Sequence, residues 1–180
     1  RLADPSRLLG GNFLYTSDIF YDSDLVTRTA RVFAKKFQGC GADCVATVET
    51  KGIPLDFTVA HMLGIPLAVI RREAKISEGS TVSINYFSGS YDRLQKMSMS
   101  NRAIVPGAKV LIIDDFMRGG GSIVGISEMI GEFSGTVVGV GVAIASLTPE
   151  KKKISDYTCL VYLGKIHAEE KKISNLPNDS

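Results

Sequence analysis

The chain has 180 residues, which against a prior of about 150 per domain gives one domain, or one domain with a small appendage. With 44% hydrophobic and 22% charged residues it has an ordinary globular composition, which excludes disordered and fibrous architectures. The 21 Lys plus Arg against 19 Asp plus Glu leave a net charge of +2, far from the basic excess of a chain whose whole surface grips nucleic acid, so this segment is a poor candidate for DNA contact.

The N-terminus reads Arg1-Leu2-Ala3-Asp4-Pro5, with no initiator Met and no signal-type apolar stretch, as expected of a segment of something longer. From Ser23 to Phe37 the apolar residues Leu25, Val26, Ala30, Val32, Phe33 and Phe37 recur at helical spacing behind the N-cap candidates Asp22, Ser23 and Asp24, which predicts an amphipathic helix ended by Gly39 and Gly41. Cys44–Val48 reads as a short buried strand, Pro54–Leu63 as a helix entered through a proline, and Leu67–Ile70 as a second apolar strand. Lys75 to Arg102 is Ser-rich, holds Gly79 and Gly89 and alternates weakly from Thr81 to Phe87. It is read as a solvent-exposed β-hairpin or long mobile loop, a length of chain that is usually functional.

Lys109–Ile113 is a buried strand with a sharp polar end at Asp114-Asp115, and Gly119-Gly120-Gly121-Ser122 leads into a helix from about Ile123 to Phe133. Thr136–Ala145 and Tyr157–Leu163 supply two more strands. Within the first of them, the longest apolar run, Val137–Ala145, is broken by Gly139 and Gly141 and falls well short of the roughly 20 residues of a membrane span. Apolar strands alternating with helices predict an α/β fold, a doubly wound, mostly parallel sheet covered on both faces, over the whole of residues 1–180. The 3 cysteines, Cys40, Cys44 and Cys159, form neither a disulfide framework nor, with only His61 and His167, a zinc site, which points to a reducing, cytoplasmic setting. His61 reads as a packed or surface helix residue.

In such a sheet a ligand lies beyond the carboxyl ends of the strands. There Arg118-Gly119-Gly120-Gly121-Ser122 precedes a helix, so backbone N–H groups and the positive helix end can surround a phosphate, with the Ser122 hydroxyl as a further donor. Adjacent carboxylates would repel a phosphate, so Asp114 and Asp115 suit the vicinal hydroxyls of a ribose or a divalent cation. Together these features point to a sugar phosphate. The bland reading of the same residues is a flexible connection with capping aspartates.

The whole string from Val110 through Asp114-Asp115-Phe116-Met117-Arg118 to Ser122 resembles the phosphoribosyl pyrophosphate signature of the type I phosphoribosyltransferases, with Gly119 where many members have Thr. That resemblance implies a second element, a loop holding pyrophosphate through backbone amides. Val48-Glu49-Thr50-Lys51-Gly52-Ile53-Pro54 fills that slot, with a non-proline cis peptide expected near Thr50-Lys51. Arg71 and Arg72, after the next strand, are candidates to add charge to the pyrophosphate, or one of them is a solvated strand-end cation. Arg93 and Lys96 are further candidates from the loop. Phe116 and Met117 either stack on a purine or pack, with Phe13 and Tyr15 candidates for the opposite wall.

Thr50–Leu55, Glu78–Tyr86 and the 110–122 string together resemble the effector domain of the purine operon repressors of Gram-positive bacteria, over roughly Gly11 to Ala145. The resemblance implies a domain that senses phosphoribosyl pyrophosphate with Mg2+, binding of which lowers the hold on operator DNA. It also implies an upstream winged-helix DNA-binding domain, for which this chain has no room before Gly10, and a homodimer. The alternative is an active purine or xanthine phosphoribosyltransferase, for which no base-specific pocket is identifiable in the sequence.

Overall fold

The computed structural model describes residues 8–9, 13–14, 22–72, 79–88, 93–148 and 151–164. Two short strands, β1 (Leu8–Leu9) and β2 (Phe13–Leu14), pair antiparallel at the start. Helix α1 spans Ser23–Phe37, as its periodicity predicts, and Asp22 caps it by accepting from the Leu25 N–H at 3.1 Å. Strand β3 (Cys44–Val48) and helix α2 (Ile53–Leu63) follow, the helix stopped by Gly64 in the left-handed region at φ 69°. Then come β4 (Leu67–Ile70), the hairpin β5 (Thr81–Ser88) and β6 (Arg93–Ser100), β7 (Lys109–Met117), α3 (Gly121–Glu132), β8 (Thr136–Ser146) and β9 (Thr158–Leu163).

The central sheet runs β4-β3-β7-β8-β9 with every neighbouring pair parallel. The crossover through α2 steps from β3 to one edge, and the crossover through α3 steps from β7 toward the other. The strand order therefore reverses between β3 and β7, and at that switch point the connections leaving the strands part and open a crevice. α1 and α2 cover one face, where Phe33, Phe37, Leu55 and Val59 pack with Leu111 and Ile113; α3 and the hairpin cover the other, where Met97, Met99 and Ile126 pack with Val110 and Ile112. The side chains of β7 thus alternate between two cores, which is why the strand is apolar at every position from Val110 to Ile113.

The hairpin corrects the solvent-exposed reading of 75–102. β5 and β6 pair in unbroken register from Thr81↔Ser100 to Ser88↔Arg93, and Tyr86, Met97 and Met99 on its inner side are buried against α3. Weak alternation was a real period of two whose apolar half lies on the helix. Residues 73–78 and the tip at 89–92 lie outside the described set. The strand carrying the acids also continues further than the sequence suggests: Asp114 pairs with Val142 and Met117 with Ala145, so the polar residues are still within the ladder.

Two glycines of β8 set the distance between sheet and helix. A Cβ on Gly139 would lie 2.8 Å from the Phe37 ring, and one on Gly141 2.9 Å from Phe33 and 2.8 Å from Ile113. The bare backbone lets the stacked Phe33 and Phe37 rings, 6.4 Å apart, lie directly on the strand. Gly141→Ala overpacks this contact and is expected to destabilise the fold by about 1–3 kcal/mol. Urea denaturation would read this as a lower midpoint with an unchanged slope.

Candidate functional site

The crevice at the switch point is bounded by the end of β7, the turn into α3 and the turn between β3 and α2. Asp114, Phe116, Met117, Arg118, Gly119, Gly120, Gly121, Ser122 and Ile123 line a shallow open cleft. Gly120, at φ 84°, is the N-cap of α3; the helix carries no side-chain cap and no acid in its first turn. Its first N–H groups therefore have neither a capping side chain nor a first-turn acid of their own helix, which is the electrostatic setting for an anion. A left-handed residue at this point is why helix α3 starts at Gly121 rather than near Ile123.

The cradle is backed by a segment that sequence reasoning missed. The Lys153 N–H donates to the Gly119 carbonyl at 2.9 Å, the Lys152 ammonium donates to the Arg118 carbonyl, and a Cβ on Gly120 would lie 3.2 Å from the Ile154 side chain. Burial, then the charge of Arg118, lowers the Lys152 ammonium below its usual range. Lys151-Lys152-Lys153 carries no periodicity in the sequence, so nothing there signalled contact with a loop some thirty residues earlier.

Across the crevice, a non-proline cis peptide lies at Glu49–Thr50, one bond ahead of the Thr50-Lys51 junction. Thr50 and Lys51 are exposed, while Gly52 is buried as the N-cap of α2. Space, not dihedral freedom, demands glycine here: a Cβ would sit 2.7 Å from Asp56 Oδ2 and 3.3 Å from the Thr47 hydroxyl oxygen. The charge of Lys51 is felt at Asp115, so the structure brings this turn and the end of β7 to one place.

Three carboxyls gather there, and each is pushed above the ordinary carboxylate range. Burial raises Asp114 first and the adjoining Asp115 second; burial also raises Asp115, against the pull of the Asp114 carboxyl, nearby backbone amides and Lys51. Asp56, in the first turn of α2, is the third. It is fully buried and its carboxyl oxygens make no well-formed hydrogen bond among the described residues; burial raises it well above 3.8, Asp114 and Asp115 add to the rise, and the neighbouring Thr47 hydroxyl pulls the other way. In the sequence Asp56 reads as an ordinary acid in a helix's first turn, so its burial was not foreseeable without the loop above it.

Arg71 and Arg72 are held to the same turn by Glu49. The Arg71 guanidinium meets the Glu49 carboxylate at 3.0 Å, the Arg72 N–H donates to the same carboxylate at 2.9 Å, and Arg72 Nε donates to the Glu49 carbonyl at 3.3 Å. Glu49, unremarked in the sequence, thus ties both arginines to the turn. Lys96 is exposed on β6, and the side chains of Arg93 and Phe13, together with Tyr15, lie outside the described residues. Phe116 is partly buried against the α1/α2 core and Met117 is buried in the α3 core, while both line the cleft. Cys40, Cys44 and Cys159 are free thiols, and burial and the Asp43 charge push Cys44 up to about 11. No helix among the described residues is long and apolar enough to cross a membrane.

A parallel sheet with an uncapped, glycine-lined helix start at its switch point and acids near the end of the strand that leads into it is the phosphoribosyltransferase arrangement. The chain belongs to the phosphoribosyl transferase domain family, whose sequence profile matches residues 19–170. Within that family it is similar to purine biosynthesis regulators: it is 41% identical over 172 residues to the purine biosynthesis transcriptional repressor PurR of Bacillus subtilis, covering 96% of this chain and 60% of that protein. It is 34% identical over 182 residues to the purine biosynthesis transcriptional activator PurR of Lactococcus lactis, covering 99% and 67%. A xanthine phosphoribosyltransferase of Shouchella clausii is 30% identical over 125 residues, 68% of this chain and 62% of the enzyme. The crystal structure of an adenine phosphoribosyltransferase from Thermoanaerobacter pseudethanolicus superposes with a TM-score of 0.70 at 20% identity, over 81% of this chain and 84% of that one, and shares the fold. The chain spans about 60% of the length of the Bacillus relative.

Asp56 gives a test of the local electrostatics. A carboxyl raised by folding contributes most below its unfolded value, near 3.8, and its contribution is lost as pH rises through the raised folded value. Asp56→Asn, which cannot ionise, is expected to gain stability relative to wild type as pH climbs from 4 toward 8. Urea midpoints across that range check it, and a difference that stays flat contradicts the account.

Proposed function

We propose that this domain is the ligand-sensing part of a purine biosynthesis regulator and that its ligand is phosphoribosyl pyrophosphate. In this reading the 5-phosphate sits on the N–H groups of Gly119 to Ser122 with Arg118 above it, the ribose hydroxyls meet Asp114 and Asp115, and the pyrophosphate rests on the Thr50-Lys51-Gly52 turn. The observation that carries it is the pairing of two anion-ready backbone elements across a carboxylate-ended strand, with Lys51 close enough to act on Asp115.

Mg2+ fits this donor set in a particular way. Among the described residues no group of three or more His, Cys, Asp or Glu side chains can hold a metal ion, so an all-protein cage is not built. Two carboxyls at a strand end suit an ion held by one or two carboxylates and by the ligand's phosphates, keeping part of its water shell. Asp114 and Asp115 would hold it. When bound it would neutralise pyrophosphate charge beside the acids, while the chain's own groups orient the sugar.

Operator DNA would be gripped by a winged-helix domain outside these residues, in a homodimer whose two copies match two half-sites, in the cytoplasm. Ligand binding would lower that grip, as the repressor resemblance implies; a relative named as an activator means that the sign of the output has to be measured on the intact protein.

Calorimetric titration with phosphoribosyl pyrophosphate and Mg2+ tests the reading. Asp115→Ala is expected to raise Kd about ten-fold or more, the loss of hydrogen bonds to a charged group. An unchanged Kd would remove Asp115 from the site. The similarity to a xanthine phosphoribosyltransferase supports a second reading, an active enzyme. Incubation with phosphoribosyl pyrophosphate, Mg2+ and each purine base is expected to yield no nucleotide, and nucleotide formation would establish the enzyme instead.

A further inference from the structure

The Glu49 network continues past the arginines. The Arg72 guanidinium reaches Gln95 Oε1 on β6 at 3.4 Å, and the same oxygen accepts from the Tyr86 hydroxyl on β5 at 2.9 Å. Arg71 is joined to the hairpin separately: its backbone N–H donates to the Ser98 carbonyl at 2.8 Å and its carbonyl accepts from the Ser98 N–H at 2.7 Å. A continuous polar path therefore runs from the turn after β3, through two arginines at the end of β4, into both strands of the hairpin.

The hairpin is also bound to the other half of the site. Tyr86 is buried with its ring root against Gly125 of α3, where a Cβ would lie 2.9 Å from Tyr86 Cβ and Cγ. Gly125 is in the second turn of the helix whose first residues form the glycine cradle. One residue, Tyr86, thus touches the cradle helix with its ring and the Glu49 network with its hydroxyl. Gln95 is the junction, because a single carbonyl oxygen accepts from both Tyr86 and Arg72.

We propose that Glu49, Arg72 and Gln95 are positioning residues that couple the Glu49–Gly52 turn to the β5–β6 hairpin, so that a ligand seated on the turn is registered in the hairpin. The proposal rests on the reading that this turn takes the pyrophosphate. Arg71 and Arg72 then act through Glu49. A shift of the turn on binding an anion moves the Glu49 carboxylate, and with it Arg72 and Gln95, while Tyr86 holds the hairpin to α3. Both phosphate-binding elements report to one strand pair.

Hydrogen exchange over 93–100 in the full chain, with and without phosphoribosyl pyrophosphate and Mg2+, tests this beside calorimetry. In wild type the ligand is expected to slow exchange about five-fold or more, the low end of coupling between two sites. Gln95→Leu, which removes the shared acceptor at similar size, is expected to abolish that slowing while still binding ligand. Gln95→Glu, which keeps an acceptor for both partners, is expected to restore it, a rescue that simple loss of packing would not give. Slowing that survives in Gln95→Leu overturns the proposal, as does wild-type binding with no slowing over 93–100. If Gln95→Leu does not fold, Tyr86→Phe keeps the ring on Gly125 and removes one of the two bonds; undiminished slowing in that variant overturns the proposal equally. Absence of calorimetric binding in wild type overturns the proposed function itself, a result separable from all of these.

Discussion

A strand buried on both faces has to pass from its core to the surface somewhere, and β7 does so through two partly buried carboxyls before it ends at Met117. Val110 to Ile113 are fully buried between two cores, and the chain leaves them through Asp114 and Asp115, still inside the ladder with β8. Isolated ionised carboxylates in such a place would be strongly disfavoured, so these hold their protons more tightly or gain partners. The rest of the site is arranged around that demand. Hydroxyls, a cation or the charge of Lys51 each relieve it, and an uncapped helix start stands beside it for an anion. Asp56, buried under Gly52 with no well-formed hydrogen bond among the described residues, extends the same demand to the opposite wall of the crevice.

The two-sided sheet explains why so small a set of residues converges. The crossovers through α2 and α3 leave in opposite directions, so the turns they begin with, 49–52 and 118–120, lie on either side of the switch point. Neither turn belongs to a core, yet each is held by one: the first by Gly52 over Asp56 and by Glu49 with two arginines, the second by Ile154 and the Lys153 amide. Rigid elements therefore fix backbone donors that have little side-chain bulk of their own. That is an economical way to meet phosphate groups, which ask for directed N–H donors in close approach.

Much of this was legible in the sequence where local chemistry decides the outcome. The helix at Ser23–Phe37 and the strands at Cys44–Val48 and Leu67–Ile70 have the predicted bounds, because capping residues, periodicity and glycine stops all agree there. The 110–122 string was readable because strand, acids and glycines are contiguous. What was not readable depends on distant partners. The hairpin's buried face is defined by α3; the burial of Asp56 is defined by a loop four residues earlier folding back over it; Lys152 and Ile154 meet the cradle only through the β8–β9 connection. Arg71 and Arg72 read as candidates for the pyrophosphate, or one of them as a solvated strand-end cation, and their tie to Glu49 left no local trace because the carboxylate lies more than twenty residues away.

The contact of Lys152, Lys153 and Ile154 with the glycine turn also orders events in time. The turn and helix α3 can be made as soon as β7 and β8 exist, yet the backing arrives only after the chain has passed β8 and entered the connection to β9. A newly synthesised chain thus acquires a cradle in two instalments, and its second part is supplied by the connection that leads to the edge strand β9. Loosening of that connection in the mature protein would reach the glycine turn directly, through the Lys153 amide and Ile154, which places part of the cradle's sensitivity at the rim of the fold.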